Sequence, residues 1–309
     1  MSFADEVRKE LIESIKKDYK NRLYFVYGML LFSKNHSKKK LEMILENKTL
    51  LKIIKEFFKK EIDIKILIDQ NNSDYHLALK NTTDYKKLYD YFISKDMDIT
   101  TQRINENFIK AQGKCVNFLS AVFIFYGTIS DPKKSYQLEF FLSNDKLNNS
   151  FHGFLAKLGF DFKIAKRKKA SSSVYTRDST VIEEILTFMG APVSAMKIMN
   201  VKAEKQIRNR VNRQTNFEAA NLEKTATAYA EQRQDIEYIL NNTDINKLDN
   251  ELKKIIDIRS IYPDLSLKDL GEKYNPPISR SAVNYRIQKI RKYADKLRNE
   301  KKKKEENID

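Results

Sequence analysis

Leu265-Ser266-Leu267-Lys268-Asp269-Leu270-Gly271-Glu272-Lys273-Tyr274, the break Asn275-Pro276-Pro277, and Ser279-Arg280-Ser281-Ala282-Val283-Asn284-Tyr285-Arg286-Ile287-Gln288-Lys289-Ile290-Arg291 decide how this chain is read. A helix over Leu248–Ile261 precedes them. Two short helices then follow, joined by a tight turn, with a serine ahead of each to cap it by accepting a backbone N–H. Leu267, Leu270 and Tyr274 share one face and Val283, Ile287 and Ile290 another, so the two can pack together. This is the pattern of a helix-turn-helix whose second helix reads DNA.

That packing turns Arg280, Ser281, Asn284, Tyr285, Gln288 and Lys289 toward solvent. Arg280 and Asn284 suit base edges, because they offer planar, bidentate groups near the start of the helix. Arg286, Lys289, Arg291, Lys292, Lys296 and Arg298 suit phosphates, which ask only for charge. With the cap Ser279, the candidate DNA-binding set is Ser279, Arg280, Ser281, Asn284, Tyr285, Arg286, Gln288, Lys289 and Arg291. Residues 275–304 hold eleven basic and two acidic residues. The competing reading is a solvated amphipathic helix pair in an ordinary helical domain.

The rest of the composition agrees with a polyanionic partner. The 309 residues carry a formal net charge of +16 and an estimated pI of about 9.5, although 42 acidic residues are present. Cationic excess favours nucleic acid through counterion release. An apolar fraction of 41% is enough for real cores. The longest apolar runs, Leu23–Phe32 and Val116–Ile129, fall short of the ~20 residues of a membrane span. The N-terminus has no basic region followed by an apolar one, so no signal peptide is expected. One cysteine, Cys115, and three scattered histidines (His36, His76, His152) argue against a disulfide or a structural zinc. No metal, cofactor or membrane is expected, and the location expected is the cytoplasm.

Hydrophobic periodicity gives an α+β first half followed by an all-α remainder. Helices are expected at Phe3–Lys17, Leu23–Phe32, Thr49–Phe58 and Asp84–Ile93, with strands at Leu41–Leu45, Ile62–Ile68 and Tyr75–Leu79. The order then recurs: helix Val116–Tyr126, strand Tyr136–Phe141, helix Asn144–Leu158, strands Phe160–Ala165 and Ser172–Tyr175, helix Ser179–Met189. This suggests a duplicated unit, 1–97 and 98–192, whose two buried helices pack together at a pseudo-twofold axis. A helical linker is expected over 193–243, continuous from Ser194 to Gln234, with a polar hinge at Asn241-Asn242-Thr243. The helix-turn-helix domain covers 244–300, and the tail 301–309 is expected to be frayed.

Two further segments invite a role. In Lys202–Asn216, Asn209, Asn212 and Asn216 fall on one helical face with Arg213 beside them; Arg208 and Asn221 flank it. Asparagine is a poor helix former, so hydrogen-bonding partners are expected. The face either engages phosphates and bases or bonds the neighbouring domain. Lys163–Arg177 holds six basic and no acidic residues, including Lys166, Arg167, Lys168 and Lys169. It is either a phosphate-tracking surface or a solvated hairpin tip.

The string Arg208-Asn209-Arg210-Val211-Asn212-Arg213, followed by Asn216-Phe217-Glu218-Ala219-Ala220-Asn221-Leu222-Glu223-Lys224-Thr225, resembles the most distinctive stretch of the WhiA family of bacterial regulators. Leu267–Glu272 and Ile278–Arg286 with Ile290 are similar to that family's helix-turn-helix, and Ser2-Phe3-Ala4 before Val7–Leu11 to its start. The resemblance runs nearly end to end and is sharpest from Met199 onward. It implies a duplicated N-terminal domain with the fold of LAGLIDADG homing endonucleases, then a helix-turn-helix resembling the promoter-reading part of sigma factors. It also implies roles in sporulation control, transcription regulation, cell division or chromosome segregation. Double-stranded DNA is the partner implied, with another transcription factor or RNA polymerase as candidate protein partners, at the nucleoid.

In such endonucleases each of two packed helices ends in an acidic residue before glycine, and the two carboxylates hold divalent metal ions. Here Tyr126 precedes Gly127 in one helix, and Phe32 stands at the corresponding place in Phe25–Ser33. Neither supplies the charged oxygen a hard cation requires. Asp131, four residues past Gly127, has no counterpart after Ser33. The first helix is aromatic-rich and is expected to lack the small residues that permit close helix approach. The resemblance therefore implies a DNA-binding protein that is not an enzyme. The alternatives are an active homing-type endonuclease and an RNA-binding protein, although no aromatic stacking motif of the RNA-binding kind is evident.

Overall fold

The computed structural model describes residues 2–33, 41–71, 74–79, 81–101, 103–108, 110–142, 144–167 and 170–306. It divides into two compact units, residues 1–205 and 206–309.

The first unit begins with α1 (Phe3–Lys17). Ser2 and Asp5 form a capping box, with the Asp5 amide donating to Ser2 Oγ at 3.2 Å and the Ser2 amide to Asp5 Oδ2 at 3.1 Å. Those bonds, together with Arg8, hold the Asp5 carboxyl below its ordinary pKa. The helix buries Phe3, Ala4, Val7, Leu11, Ile12 and Ile15. Next come α2 (Arg22–Leu31), β1 (Glu42–Leu45), α3 (Lys48–Phe57), β2 (Ile66–Asn71), β3 (Asp74–Leu79) and α4 (Thr82–Ser94). The second half holds α5 (Gln112–Tyr126), β4 (Gly127–Ile129), β5 (Leu138–Phe141), α6 (Asp145–Lys157), β6 (Lys163–Arg167), β7 (Ala170–Thr176) and α7 (Ser179–Met189). The strands form two antiparallel sheets, in the orders β1-β3-β2 and β4-β5-β7-β6.

Two local differences from the expected elements have clear causes. The strand expected from Ile62 begins at Ile66, because the chain first makes a π-helical turn over Phe58–Ile62 and leaves it through Asp63 in the left-handed region. That turn carries the Phe58 ring fully into the core. The three-residue strand β4 follows α5 without a loop. It pairs Gly127, Thr128 and Ile129 with Phe140, Glu139 and Leu138.

The first unit is organised around the contact between α2 and α5. The closest approach is at Gly28, where a Cβ would lie 2.8 Å from the Phe118 carbonyl oxygen and 3.3 Å from Ala121 Cβ. The expectation that the first helix lacks a small residue for close approach is thus wrong: Gly28 provides one, facing Ala121. Around the crossing, Tyr27, Phe32, Phe108, Phe118, Phe151 and Phe154 make tilted or edge-on ring contacts with centroids 5.2–6.2 Å apart. Such pairs add about 0.5–1.5 kcal/mol each beyond the area they bury.

The long α8 (Pro192–Asn242) continues past the expected end at Gln234. It also runs through Asn241 and Asn242, where a hinge was expected; Asn242 Nδ2 donates to the Tyr238 carbonyl at 2.8 Å. The stretch expected as a linker contributes to both cores, Ala195 and Ile198 to the first unit and Ile236 and Ile239 to the second.

In the second unit, a 3₁₀ turn over Ile245–Lys247 ends at Leu248 in extended conformation, so the helix expected from Leu248 begins two residues later. Then come α9 (Asn250–Ile261), α10 (Leu267–Glu272) and α11 (Arg280–Glu306). No glycine or proline follows Pro277, and the tail is rich in helix formers. Hence α11 runs on through the lysine run expected to fray. The turn between α10 and α11 is tight. A Cβ on Gly271 would lie 2.3 Å from the Ile278 carbonyl oxygen, and the Ile278 amide donates to Gly271 O at 3.0 Å.

In both units an added methyl meets backbone, which cannot swing aside. Gly28→Ala and Gly271→Ala are each expected to destabilise their own unit by about 1–3 kcal/mol; thermal unfolding followed by circular dichroism measures this, and unchanged melting would contradict the packing. Burial pushes the Tyr27 phenol up to about 12 and the Tyr126 phenol higher still. An unfolded tyrosine titrates near pH 10. The contribution of these two phenols to stability is therefore constant below about pH 10 and falls as the pH rises toward 12, since only the unfolded chain releases those protons. In an alkaline titration these two of the sixteen tyrosines are expected to ionise only as helical dichroism is lost; complete ionisation with dichroism intact would contradict their burial.

Candidate nucleic-acid interface

Caps and packing fix the position of α11. Asp249 caps α9, accepting from the Leu252 amide at 2.7 Å. Ser266 caps α10, accepting from the Asp269 amide at 3.3 Å. Ser279 caps α11, accepting from the Ala282 amide at 3.2 Å. Val283, Ile287, Ile290 and Ala294 are buried on one side of α11, against a core that includes Leu252, Ile255, Ile256, Leu270 and Tyr274. Spacings of four, three and four residues keep that stripe on a single face.

The opposite face is open. Arg280, Ser281, Asn284, Tyr285, Gln288 and Arg291 are all exposed, Tyr285 by 60%. Ser279 is exposed as well, but its hydroxyl is engaged by the cap. Among the described residues, Arg280 has no ion pair. Six polar side chains at helical spacing, with a free guanidinium at the N-terminal end, can reach into a groove and offer donors and acceptors to base edges.

Two residues of the candidate set, Arg286 and Lys289, form ion pairs with α9. Arg286 NH2 lies 3.4 Å from Glu251 Oε1, and Lys289 Nζ 2.8 Å from Glu251 Oε2. The Arg286 guanidinium also sits over the Tyr274 ring, 5.1 Å from its centroid. The hydrogen bond from Lys289 holds the Glu251 carboxyl below its ordinary pKa and raises that of the lysine. Farther along, Arg298 pairs with Asp235 at 2.7 Å and Asp295 at 3.0 Å. Arg291 reaches Glu231 only at 3.9 Å, and Lys292 is exposed. Sequence reasoning missed Glu251, because a carboxylate on α9 has no sequence signal linking it to cations 35 and 38 residues away.

The asparagine face lacks the hydrogen-bonding partners expected of it. From Gln206 to Lys224 every residue of α8 is exposed, including Arg208, Asn209, Asn212, Arg213, Asn216 and Asn221. Among the described residues, the side chains of Asn209, Asn212 and Asn216 make no hydrogen bond. In the first unit, Lys163 is exposed on β6, and Arg177 Nε donates to Gln137 Oε1 at 3.3 Å. Lys168 and Lys169, and the side chains of Lys166 and Arg167, lie outside the described residues.

At the C-terminal ends of α2 and α5, the structure packs rings. Phe32 is fully buried against Phe118, Tyr126 and Phe151. Tyr126 donates its hydroxyl to the Met29 carbonyl at 2.7 Å, locking α5 to α2. Asp131 accepts from the Lys133 amide at 2.9 Å in an exposed turn.

Comparisons with known proteins agree with this architecture. The family model described as the WhiA LAGLIDADG-like domain matches residues 115–208, and that of the WhiA C-terminal HTH domain matches 211–294. The "Probable cell division protein WhiA" of Carboxydothermus hydrogenoformans is 33% identical over 310 residues, covering 97% of this chain and 99% of the relative. Its namesake in Clostridium botulinum (strain Eklund 17B / Type B) is 29% identical over 315 residues, covering 96% and 99%. The crystal structure of full-length WhiA from Thermotoga maritima, 19% identical, superposes with a TM-score of 0.52 over 96% of this chain and 99% of that one, which shows a shared fold. With its LAGLIDADG-like first unit and its helix-turn-helix in the second, the chain belongs to the WhiA family.

Proposed function

We propose that this protein reads duplex DNA through the exposed face of α11 and acts without catalysis in bacterial cell division. The observation that carries the reading is the division of α11 into two faces. Val283, Ile287 and Ile290 are buried, while Arg280, Ser281, Asn284, Tyr285 and Gln288 face outward. In this reading Arg280 and Asn284 contact base edges, and Arg291 and Lys292 contact phosphates. Arg286 and Lys289 hold α11 against Glu251, and Ser279 fixes where the helix starts. The bare stretch of α8, with Arg208, Asn209, Asn212, Arg213, Asn216 and Asn221, is a second candidate contact.

The cell-division role rests on the names of the relatives and the family's domain pair. Control of transcription, chromosome segregation and association with the nucleoid belong to the same proposal, as does contact with another transcription factor or RNA polymerase. Loss of catalysis rests on Phe32 and Tyr126. Metal-assisted phosphodiester cleavage needs oxygen ligands with charge, and those two positions supply rings.

Selection of binding sites from a random duplex pool is expected to return a defined sequence for the full-length protein. Arg280→Ala and Asn284→Ala are each expected to weaken binding to that sequence by about 1–3 kcal/mol, roughly tenfold to a hundredfold, and to relax preference at one position. Neither touches the core, so their melting should match the wild type. Unchanged affinity and preference in both variants would overturn the reading. Supercoiled DNA incubated with Mg²⁺ and the protein is expected to stay intact; site-specific nicking would instead support a nuclease.

A further inference from the structure

Beside the start of α11 lies a groove of about 510 Å³, within the second unit. Its wall includes Lys224 and Gln232 of α8, Arg259 of α9, Ser266 and Lys268 at the start of α10, and Arg280 of α11. Its charged lining is Lys224, Arg259, Lys268 and Arg280, with no carboxylate among the lining residues. Lys224, Lys268 and Arg280 are exposed and, among the described residues, have no ion pair.

Arg259 is the unusual member. It is 2% exposed. Its guanidinium donates from Nε to Gln232 Oε1 at 2.8 Å and from NH1 to the Leu265 carbonyl at 2.7 Å, and it lies 5.1 Å from the centroid of the Tyr229 ring. All three partners are neutral. Among the described residues no carboxylate lies within 4.0 Å of it. The exposed Asp264 acts on it through space from beyond that distance, and burial lowers its pKa. A buried cation without a counter-ion is costly, and three further cations around the same groove raise the local positive potential. Ser266, the one lining hydroxyl at the mouth of α10, is already engaged by the Asp269 carboxylate at 2.7 Å.

We propose that this groove is a seat for the phosphate backbone of duplex DNA, with Lys224 and Lys268 at its rim and the buried Arg259 guanidinium behind them. The groove is continuous with Arg280, so a backbone lying in it passes directly to the base-reading face of α11. The DNA footprint thereby extends from the helix-turn-helix onto α8, at Asn221–Gln232. The inference rests on the DNA-reading proposal above but assigns different residues, which makes the two separable by experiment.

The test uses the full-length protein, a random-sequence duplex and the double variant Lys224→Gln with Lys268→Gln. Both side chains are exposed and unpaired, so folding should be unaffected, as melting would confirm. Each lost phosphate contact lowers the slope of log Kobs against log[salt] by about 0.9, so the double variant is expected to be shallower by about 1.8, with the selected sequence unchanged. An unchanged slope would overturn the groove proposal, even where Arg280→Ala and Asn284→Ala weaken binding as expected. If those two variants also bind normally, the DNA-reading proposal itself fails. A third arm adds inorganic phosphate at constant ionic strength. Release of duplex from the wild type but not from the double variant is expected, because anion and backbone then compete for the same cations; equal release from both proteins would place the competition elsewhere and overturn the backbone seat.

Discussion

The register in which α11 is buried is the constraint on which the functional surface depends. Val283, Ile287, Ile290 and Ala294 go inward together, and rotation of the helix would bring polar groups into the core at the cost of unpaired hydrogen bonds. The tight backbone contact between Gly271 and Ile278 sets where α10 ends and α11 begins. Glu251 adds a second hold by drawing Arg286 and Lys289 toward α9. What remains outward at the N-terminal end is a short set of side chains suited to base edges. Two of the cations counted in the basic excess thus serve to place the helix, while the outward charge lies at Arg280, Arg291 and Lys292.

In the first unit, rings close the ends of the two packed central helices. In α2 and α5, two apolar helices cross at Gly28 and Ala121. Their C-terminal ends, where carboxylates would have to tolerate desolvation, are closed by Phe32 and by the bond from Tyr126 to Met29. A pair of carboxylates at such a position repel each other unless cations are bound. Aromatic packing removes that requirement and gives the crossing a dry, interlocked end. In the proposed account, loss of catalysis and gain of packing are thus the same substitutions.

Much of this was legible in the sequence because it is local or periodic. The three helices of the second unit, the caps at Ser266 and Ser279, and the buried stripes of α10 and α11 follow from spacing alone. So do the two buried helices of the first unit and their mutual packing. The strand β4 was hidden because it continues the apolar run of α5 directly, starting at Gly127. The π-helical turn at Phe58–Ile62 was hidden because the gain that stabilises it, burial of Phe58, is tertiary. The asparagines of α8 looked as though they must be satisfied, yet Asn209, Asn212 and Asn216 stand in water on a bare helix. Glu251 and the Arg259 groove were illegible for one shared reason: each joins residues on different helices, whose proximity only the fold creates.

The central claim is that α11 enters the major groove of duplex DNA and reads base edges there. Chemical interference tests it most directly, using duplexes of the selected sequence methylated sparsely at guanine N7, in the major groove, or adenine N3, in the minor groove. Under this account, N7 methylation within the site excludes molecules from the bound fraction, while N3 methylation at the same base pairs does not. Binding that tolerates N7 methylation throughout the site would contradict it.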